Sequence, residues 1–97
     1  MNYFFHPEAE IEFIEAVEYY EDRQQGLGHD FAIEVNLTIE RLILYPEAWP
    51  EIDADIRRIL MKRYPYGILY SIKDDNIFIL AMMNLHREPS YWKKRDK

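Results

Sequence analysis

The chain has 97 residues, no cysteine and a formal net charge of −6, and 48% of its residues are hydrophobic. This length predicts one domain, residues 1–97, with a small core, and the lack of cysteine excludes a disulfide framework or a zinc–thiolate site. The opening residues MNYFFHPEAE carry no basic region and no long apolar run. We therefore expect no signal peptide, no membrane span and a cytoplasmic location.

The charge is divided between the two halves of the chain. Residues 1–55 hold 14 Asp/Glu against two Lys/Arg, for a net charge of −12, whereas residues 56–97 hold four against ten, for +6. The acidic total disfavours broad binding to nucleic acid. A local basic face can still bind a few phosphates, because charges more than about 10 Å apart are largely screened at 0.1 M salt.

The N-terminal half begins with a predicted strand and a predicted helix. Tyr3–Phe5 is a short apolar run, and Pro7 suits the first position of a helix, where its missing N–H is not needed. Residues 7–25, PEAEIEFIEAVEYYEDRQQ, place apolar residues at helical spacing. These residues are Phe13, Ala16, Val17 and Tyr20.

Glutamates recur along the same predicted helix, at Glu8, Glu12, Glu15 and Glu18. Such a set raises the question of a metal or acid–base cluster. No histidine lies three or four residues away within the helix, so we interpret the four glutamates as a solvent-exposed face. His6, His29 and His86 are also too scattered to predict a metal site, and we expect no metal and no other cofactor.

A glycine turn separates this helix from a second one. Gly26-Leu27-Gly28 predicts the C-terminal turn of the first helix rather than a phosphate loop, because no GK[ST] follows. Asp30 is the expected N-cap, and residues 31–45, FAIEVNLTIERLILY, repeat apolar side chains at helical spacing until Pro46. The two helices form an antiparallel αα-hairpin.

Three strands are predicted after Pro50, at residues 56–64, 66–73 and 77–85, with a hairpin turn at residues 74–76. The third run is apolar on both faces, which predicts a central strand covered on both sides. The predicted fold is therefore α+β, in the order β-α-α-β-β-β, with an antiparallel sheet packed against an N-terminal αα-hairpin.

Basic side chains cluster on the first of these strands and after the last one. By the two-residue period of a strand, Arg58 and Lys62 share one face and Arg57 and Arg63 the other. The last strand leads into HREPSYWKKR, residues 86–95. Two interpretations stay open: the cations protect an edge strand from pairing with other molecules, or they form a binding site.

Several segments in this order resemble a known family: YYE at 19–21, GLG at 26–28 followed by Phe31, IRRILMKRYPYGILYSI at 56–72, HR at 86–87, and P-x-YW-x-x-R at 89–95. Over roughly residues 7–95 the chain resembles the RelE/ParE superfamily of toxins from type II toxin–antitoxin modules. The resemblance implies the same β-α-α-β-β-β fold.

The resemblance also implies a prokaryotic growth inhibitor that a cognate antitoxin silences in a toxin–antitoxin hetero-oligomer. RelE-like members cut mRNA on the ribosome, whereas ParE-like members poison DNA gyrase without hydrolysis. The YW motif and the acidic helices favour the ParE-like branch. A RelE-like endoribonuclease and a non-toxic relative that only binds a partner are the alternatives.

A nuclease needs a proton shuttle and cations on the developing phosphorane charge. The resemblance places the sheet-end arginine at Arg87. Arg58 or Lys62 is the candidate for a second phosphate contact, and Tyr91 or His86 is the candidate proton shuttle. This hypothesis requires the positive groups at 57, 58, 62, 63 and 87 to converge into one concave pocket.

Overall fold

The computed structural model describes residues 1–95. Its elements, in chain order, are β1 Tyr3–Phe5, α1 Pro7–Arg23, α2 Leu27–Leu44, β2 Glu51–Asp53, β3 Ile56–Leu60, β4 Tyr66–Lys73, β5 Asn76–Asn84 and a 3₁₀ helix at Tyr91–Lys94. The predicted α+β class and order are confirmed, with one added strand, β2. That strand escaped prediction because its three residues are all exposed and two of them are acidic.

The five strands form one sheet in the order β1-β5-β4-β3-β2. β5 is internal, as its apolar character on both faces predicted, and the turn before it places Asp74 and Asp75 at φ 52° and 62°. β1 pairs with β5 in parallel, while the other pairs are antiparallel. The predicted antiparallel sheet is thus mixed through this one parallel pair, which side-chain periodicity cannot predict because it reports the face that a residue occupies and not the direction of its strand.

Each face of the sheet has its own apolar layer. The αα-hairpin covers one face, where Phe31, Val35 and Leu42 pack with Ile68 and Ile79. The C-terminal segment covers the other face, and its Trp92 is only 2% exposed in a cluster that contains the following residues: Ile56, Leu69, Leu80, Ala81 and Met83. The indole N–H of Trp92 donates to the carbonyl of Pro89 at 2.7 Å. Trp92 thus anchors the C-terminal segment to the sheet.

The turn between the helices differs from the predicted one. α2 begins at Leu27, and its N-cap is Gly26 with φ 88°, so Asp30 is not the cap. The carboxylate of Glu21 from α1 accepts the N–H groups of Gly26, at 2.8 Å, and Gly28, at 3.0 Å, and so takes over the capping role. A Cβ atom at Gly28 would lie 2.4 Å from the carbonyl oxygen of Val17, so this glycine permits the close approach of the helices.

A β-bulge interrupts the pairing of β5 with β4 at Leu80. The register with β4 shifts between Leu69–Ala81 and Tyr70–Ile79, which leaves Leu80 as an extra residue. β1 ends nearby, with the N–H of His6 donating to the carbonyl of Ile79. Beyond that point β5 has no neighbouring strand on this side among residues 1–95.

Neither α1 nor α2, the two long helices among residues 1–95, combines the length and the apolar character that a membrane span requires.

Candidate functional site

A concavity of about 730 Å³ lies between α1 and the C-terminal half of β5. We call it the α1–β5 groove. Its lining residues are Glu12, Glu15, Ala16, Tyr19, Tyr20, Arg23, Pro65, Tyr66, Met82, Asn84, His86 and Arg87. The groove combines phenol rings with charged groups of both signs. It brings together two of the predicted site residues, His86 and Arg87.

Glu12 is the polar centre of this groove. Its side chain is 10% exposed, and its carboxylate accepts the N–H of Met82 at 3.0 Å and two donors from Arg95, at 3.0 and 2.6 Å. Arg95 is 7% exposed and also donates to the carbonyl of Leu80 at 2.9 Å. The backbone groups near the bulge of β5 are thus satisfied by one ion pair between α1 and the C-terminal segment.

Arg87 lies at the edge of this ion pair. Its side chain is 55% exposed, and one guanidinium nitrogen lies 3.5 Å from Glu12 Oε2. The guanidinium carbon lies 3.7 Å from the centre of the Tyr91 ring, while that of Arg95 lies 5.0 Å from the same centre. Arg87 therefore stacks on an aromatic ring beside a carboxylate that offsets its charge.

Tyr91 presents its ring to two guanidinium groups while its hydroxyl is buried. Burial, followed by the negative charge of Glu12, raises the pKa of the Tyr91 phenol well above its ordinary value. The phenol is therefore neutral at physiological pH and is a poor base. His86, by contrast, is an exposed residue of the turn after β5.

The other two predicted site residues lie elsewhere. Arg58 and Lys62 line a smaller groove, of about 290 Å³, whose remaining residues are Arg41, Trp49, Pro50, Ile59 and Leu60. We call it the β3-edge groove. It shares no lining residue with the α1–β5 groove. The expectation that the basic groups converge into one pocket is therefore wrong.

Two further arginines of the expected cluster are engaged in structural contacts. Arg57 donates to the carbonyls of Glu47, at 3.1 Å, and Trp49, at 2.6 Å. Arg63 contacts Asp30 at 2.7 Å and Glu34 at 2.9 Å. These contacts hold the segment before β2 and the loop after β3. The strand predicted at 56–64 ends at Leu60, so the two-residue period does not apply to Lys62 and Arg63.

Glu34 ties α2 to the loop after β3. Its carboxylate accepts the backbone N–H groups of Lys62, at 2.7 Å, and Arg63, at 3.1 Å, in addition to the Arg63 guanidinium. Burial opposes ionisation of Glu34, but these donors outweigh it and lower the pKa of the carboxyl below 4.5. Alongside, the hydroxyl of Tyr64 donates to Asp30, and burial together with this bond raises the pKa of Tyr64 to about 12.

We expect Glu34→Gln to lower the free energy of unfolding by about 2 kcal/mol at pH 7, because an amide cannot accept all of these hydrogen bonds. A carboxylate with a lowered folded-state pKa stabilises the fold above its unfolded pKa and loses that effect as the pH falls through the folded value. The difference in free energy of unfolding between wild type and Glu34→Gln should therefore decrease as the pH falls below 4.5, the ordinary pKa of a glutamate carboxyl.

Urea denaturation from pH 7 to pH 3 measures this gap. Glu40→Gln, at an exposed position of α2, is the matched control and should change stability by less than about 0.5 kcal/mol throughout. A gap that stays constant down to pH 3 would contradict the role assigned to the Glu34 carboxylate.

The importance of Glu12 was not predicted, because the glutamates of α1 were interpreted as an exposed face. A signal was present in the sequence. Glu12 lies three residues after Ala9 and four before Ala16, and both alanines are buried. It therefore lies within the apolar stripe of the helix, where an acidic residue requires a buried partner.

The α1–β5 groove presents several kinds of polar and aromatic group. It offers phenol rings, an amide at Asn84 and a partly neutralised cation at Arg87. Among residues 1–95, no group of three histidine, aspartate or glutamate side chains is arranged to hold a metal ion.

Fold and site together define a small α+β domain in which an αα-hairpin and a C-terminal anchor enclose a mixed five-stranded sheet. One chain of a solved structure described as the chromosomal ParDE TA system from P. aeruginosa has this fold, with a TM-score of 0.66 over 88% of the present chain and 96% of the other. The two sequences are 14% identical. The fold is accordingly that of RelE/ParE-like toxins, as the resemblance implied.

Sequence comparisons add nothing to this likeness: no family profile and no curated protein matches the chain.

Proposed function

We propose that the chain is the toxin component of a type II toxin–antitoxin module, a growth inhibitor that a cognate antitoxin neutralises. Within this class we favour ParE-like inhibition of DNA gyrase by protein–protein contact over cleavage of mRNA. The likeness of the fold to a ParDE chain and the ordered motifs from YYE to P-x-YW-x-x-R support the class.

The separation of the basic groups is the observation that favours binding over cleavage. Arg87 lies in one groove beside Glu12, whereas Arg58 and Lys62 line another. A phosphoryl-transfer site needs its cations and its proton shuttle around one reacting phosphorus atom. The raised pKa of Tyr91 also disfavours this phenol as the base.

Exposed apolar side chains on the helices support a protein partner. Ile11 and Ile14 on α1 and Ile33, Leu37 and Leu44 on α2 are each 44–70% exposed. Their spacing places large apolar side chains on the side of each helix that the sheet does not cover. Exposed large apolar side chains are used in protein interfaces, and an antitoxin is the partner that we expect to cover them.

Inducible expression in a bacterial host tests the proposal. We expect growth arrest with induction of a DNA-damage reporter and intact transcripts, and relief of the arrest when the neighbouring gene product is co-expressed. The purified protein should inhibit supercoiling by gyrase in vitro. In-frame cuts in transcripts would favour the RelE-like alternative, and unimpaired growth at high expression would favour a partner-binding relative.

A further inference from the structure

The β3-edge groove lies where the pairing of β2 with β3 stops. β2 pairs with β3 only at Ile56 and Arg57. Ile59 belongs to the core layer beneath the helices, whereas Arg58 and Leu60 face the opposite side of the sheet. The groove is therefore lined from both faces of the sheet. Its volume of about 290 Å³ is at the lower end for ligand sites, so it suits one compact molecule.

One wall of the groove is apolar and is held in place by the backbone. It consists of the half-buried Trp49, of Pro50 and of Leu60, which is 49% exposed. Arg57 donates to the carbonyl of Trp49 at 2.6 Å. The N–H of Arg58 donates to the carbonyl of Pro50 at 3.1 Å. Ligand sites in proteins are mostly apolar and largely pre-formed, and this wall has both properties.

Three cations line the groove beside this apolar wall. Arg41 comes from α2, Arg58 from β3 and Lys62 from the loop that follows β3. Among residues 1–95, none of the three forms an ion pair and no acidic side chain lines the groove. Like charges in one groove repel one another unless an anion lies among them. In a chain with a net charge of −6, cations without a counter-charge indicate an anionic ligand.

Gly67 on β4 brings the charged and the apolar side chains together. A Cβ atom at Gly67 would lie 3.3 Å from both Cγ and Cδ of Arg58 and 3.4 Å from Cδ2 of Leu60. Both side chains therefore lie over the glycine, so a cationic and an apolar side chain are neighbours. A ligand with one charged end and one apolar end requires this arrangement.

We propose that the β3-edge groove binds a small amphiphilic anion, a flat apolar body of one or two rings that carries one carboxylate, sulfonate or phosphate group. The body packs against Trp49 and Leu60. The charged group is held by Arg41, Arg58 and Lys62 through charge-assisted hydrogen bonds. A nucleic acid carries a charge at every nucleotide, whereas this groove has room for one small molecule. The inference goes beyond the proposed function, since it requires neither toxicity nor a protein partner.

Titration of the ¹⁵N-labelled chain with 2-naphthoate tests the proposal. We expect a dissociation constant of about 1 mM or below, which is typical of a ligand with so few atoms, and chemical-shift changes at the Leu60 amide and the Trp49 indole. 2-Naphthylmethanol keeps the apolar body without the charge, and inorganic phosphate keeps a charge without the body. Each should bind at least about tenfold more weakly. 2-Naphthyl phosphate and 2-naphthalenesulfonate should shift the same signals, and their relative affinities identify the preferred charged group.

The double variant Arg58→Gln, Lys62→Gln should weaken the binding of 2-naphthoate roughly five- to tenfold, because two charge contacts are removed. Lys93→Gln, Lys94→Gln removes two exposed cations outside the groove and should leave the affinity unchanged. Equal affinity for 2-naphthoate and 2-naphthylmethanol, or an unchanged affinity of the first double variant, would overturn the anion site. Chemical-shift changes confined to the α1–β5 groove, or a preference for a ten-residue oligothymidylate, would also overturn it.

Discussion

Replacing Glu12 with glutamine should lower the free energy of unfolding by about 3 kcal/mol, because it leaves the buried guanidinium of Arg95 with only the exposed carboxylate of Glu8, 3.7 Å away, as a counter-charge. Arg95 is 7% exposed and obtains its two shortest carboxylate contacts from Glu12. Glutamine keeps the size of the side chain but presents one acceptor atom to three donors. The amide hydrogens would also face the guanidinium group.

Urea denaturation at pH 7 measures this loss. Glu15→Gln is the matched control, since Glu15 lies on the same helix, lines the same groove and is exposed. It should change stability by less than about 0.5 kcal/mol. Equal effects of the two variants would contradict the central position given to Glu12. A double-mutant cycle of Glu12→Gln with Arg95→Met should show strong coupling, because the two residues share one contact.

Truncation of Trp92 to alanine should destabilise the fold by about 3–5 kcal/mol, the range for loss of a large buried aromatic side chain. Trp92 is 2% exposed and is the only aromatic side chain among the fully buried members of its layer within residues 1–95. Its removal exposes Leu80 and Met83 and also removes the hydrogen bond to the carbonyl of Pro89. No other segment among the described residues is placed to cover this face.

Chemical denaturation and the near-UV circular dichroism signal report this change. Trp92→Phe keeps most of the packing and should cost clearly less than the alanine variant, whereas Lys93→Ala, at the exposed neighbouring position, should be almost neutral. Retention of wild-type stability by Trp92→Ala would show that the C-terminal segment does not anchor the sheet. Because this segment also delivers Arg95 to Glu12, the effects of Trp92→Ala and Glu12→Gln should not add independently.

The helices were predictable because each carries an apolar pattern at helical spacing, and β5 was predictable because it is apolar on both faces. The first of the three predicted strands, 56–64, was placed correctly at its start but ends at Leu60. Gly26 and Pro46 mark the ends of the helical patterns as expected. The start of α2 was placed too late, because Glu21, a residue of the other helix, caps it. The parallel pairing of β1 was not predictable, since three apolar residues contain no information about strand direction.

The candidate site was only partly predictable. Linear motifs indicated Arg87 and Tyr91, which contact one another, and His86, which lines the same groove as Arg87. They also grouped Arg58 and Lys62 with Arg87, although these residues lie in a separate groove. Contacts between residues that are distant in the sequence decide which cations are free. The position of Glu12 within the apolar stripe indicates a buried partner but does not identify that partner as Arg95.

The parallel pairing of Tyr3–Phe5 with residues 77–79 has a consequence for biosynthesis. Strand β1 has no backbone partners until residues 77–79 have been translated. The ion pair between Glu12 and Arg95 forms later still, because Arg95 is translated after residues 77–79. A polypeptide that ends before residue 77 would lack both the β1–β5 pairing and the Glu12–Arg95 ion pair, so truncated products should be sensitive to proteases.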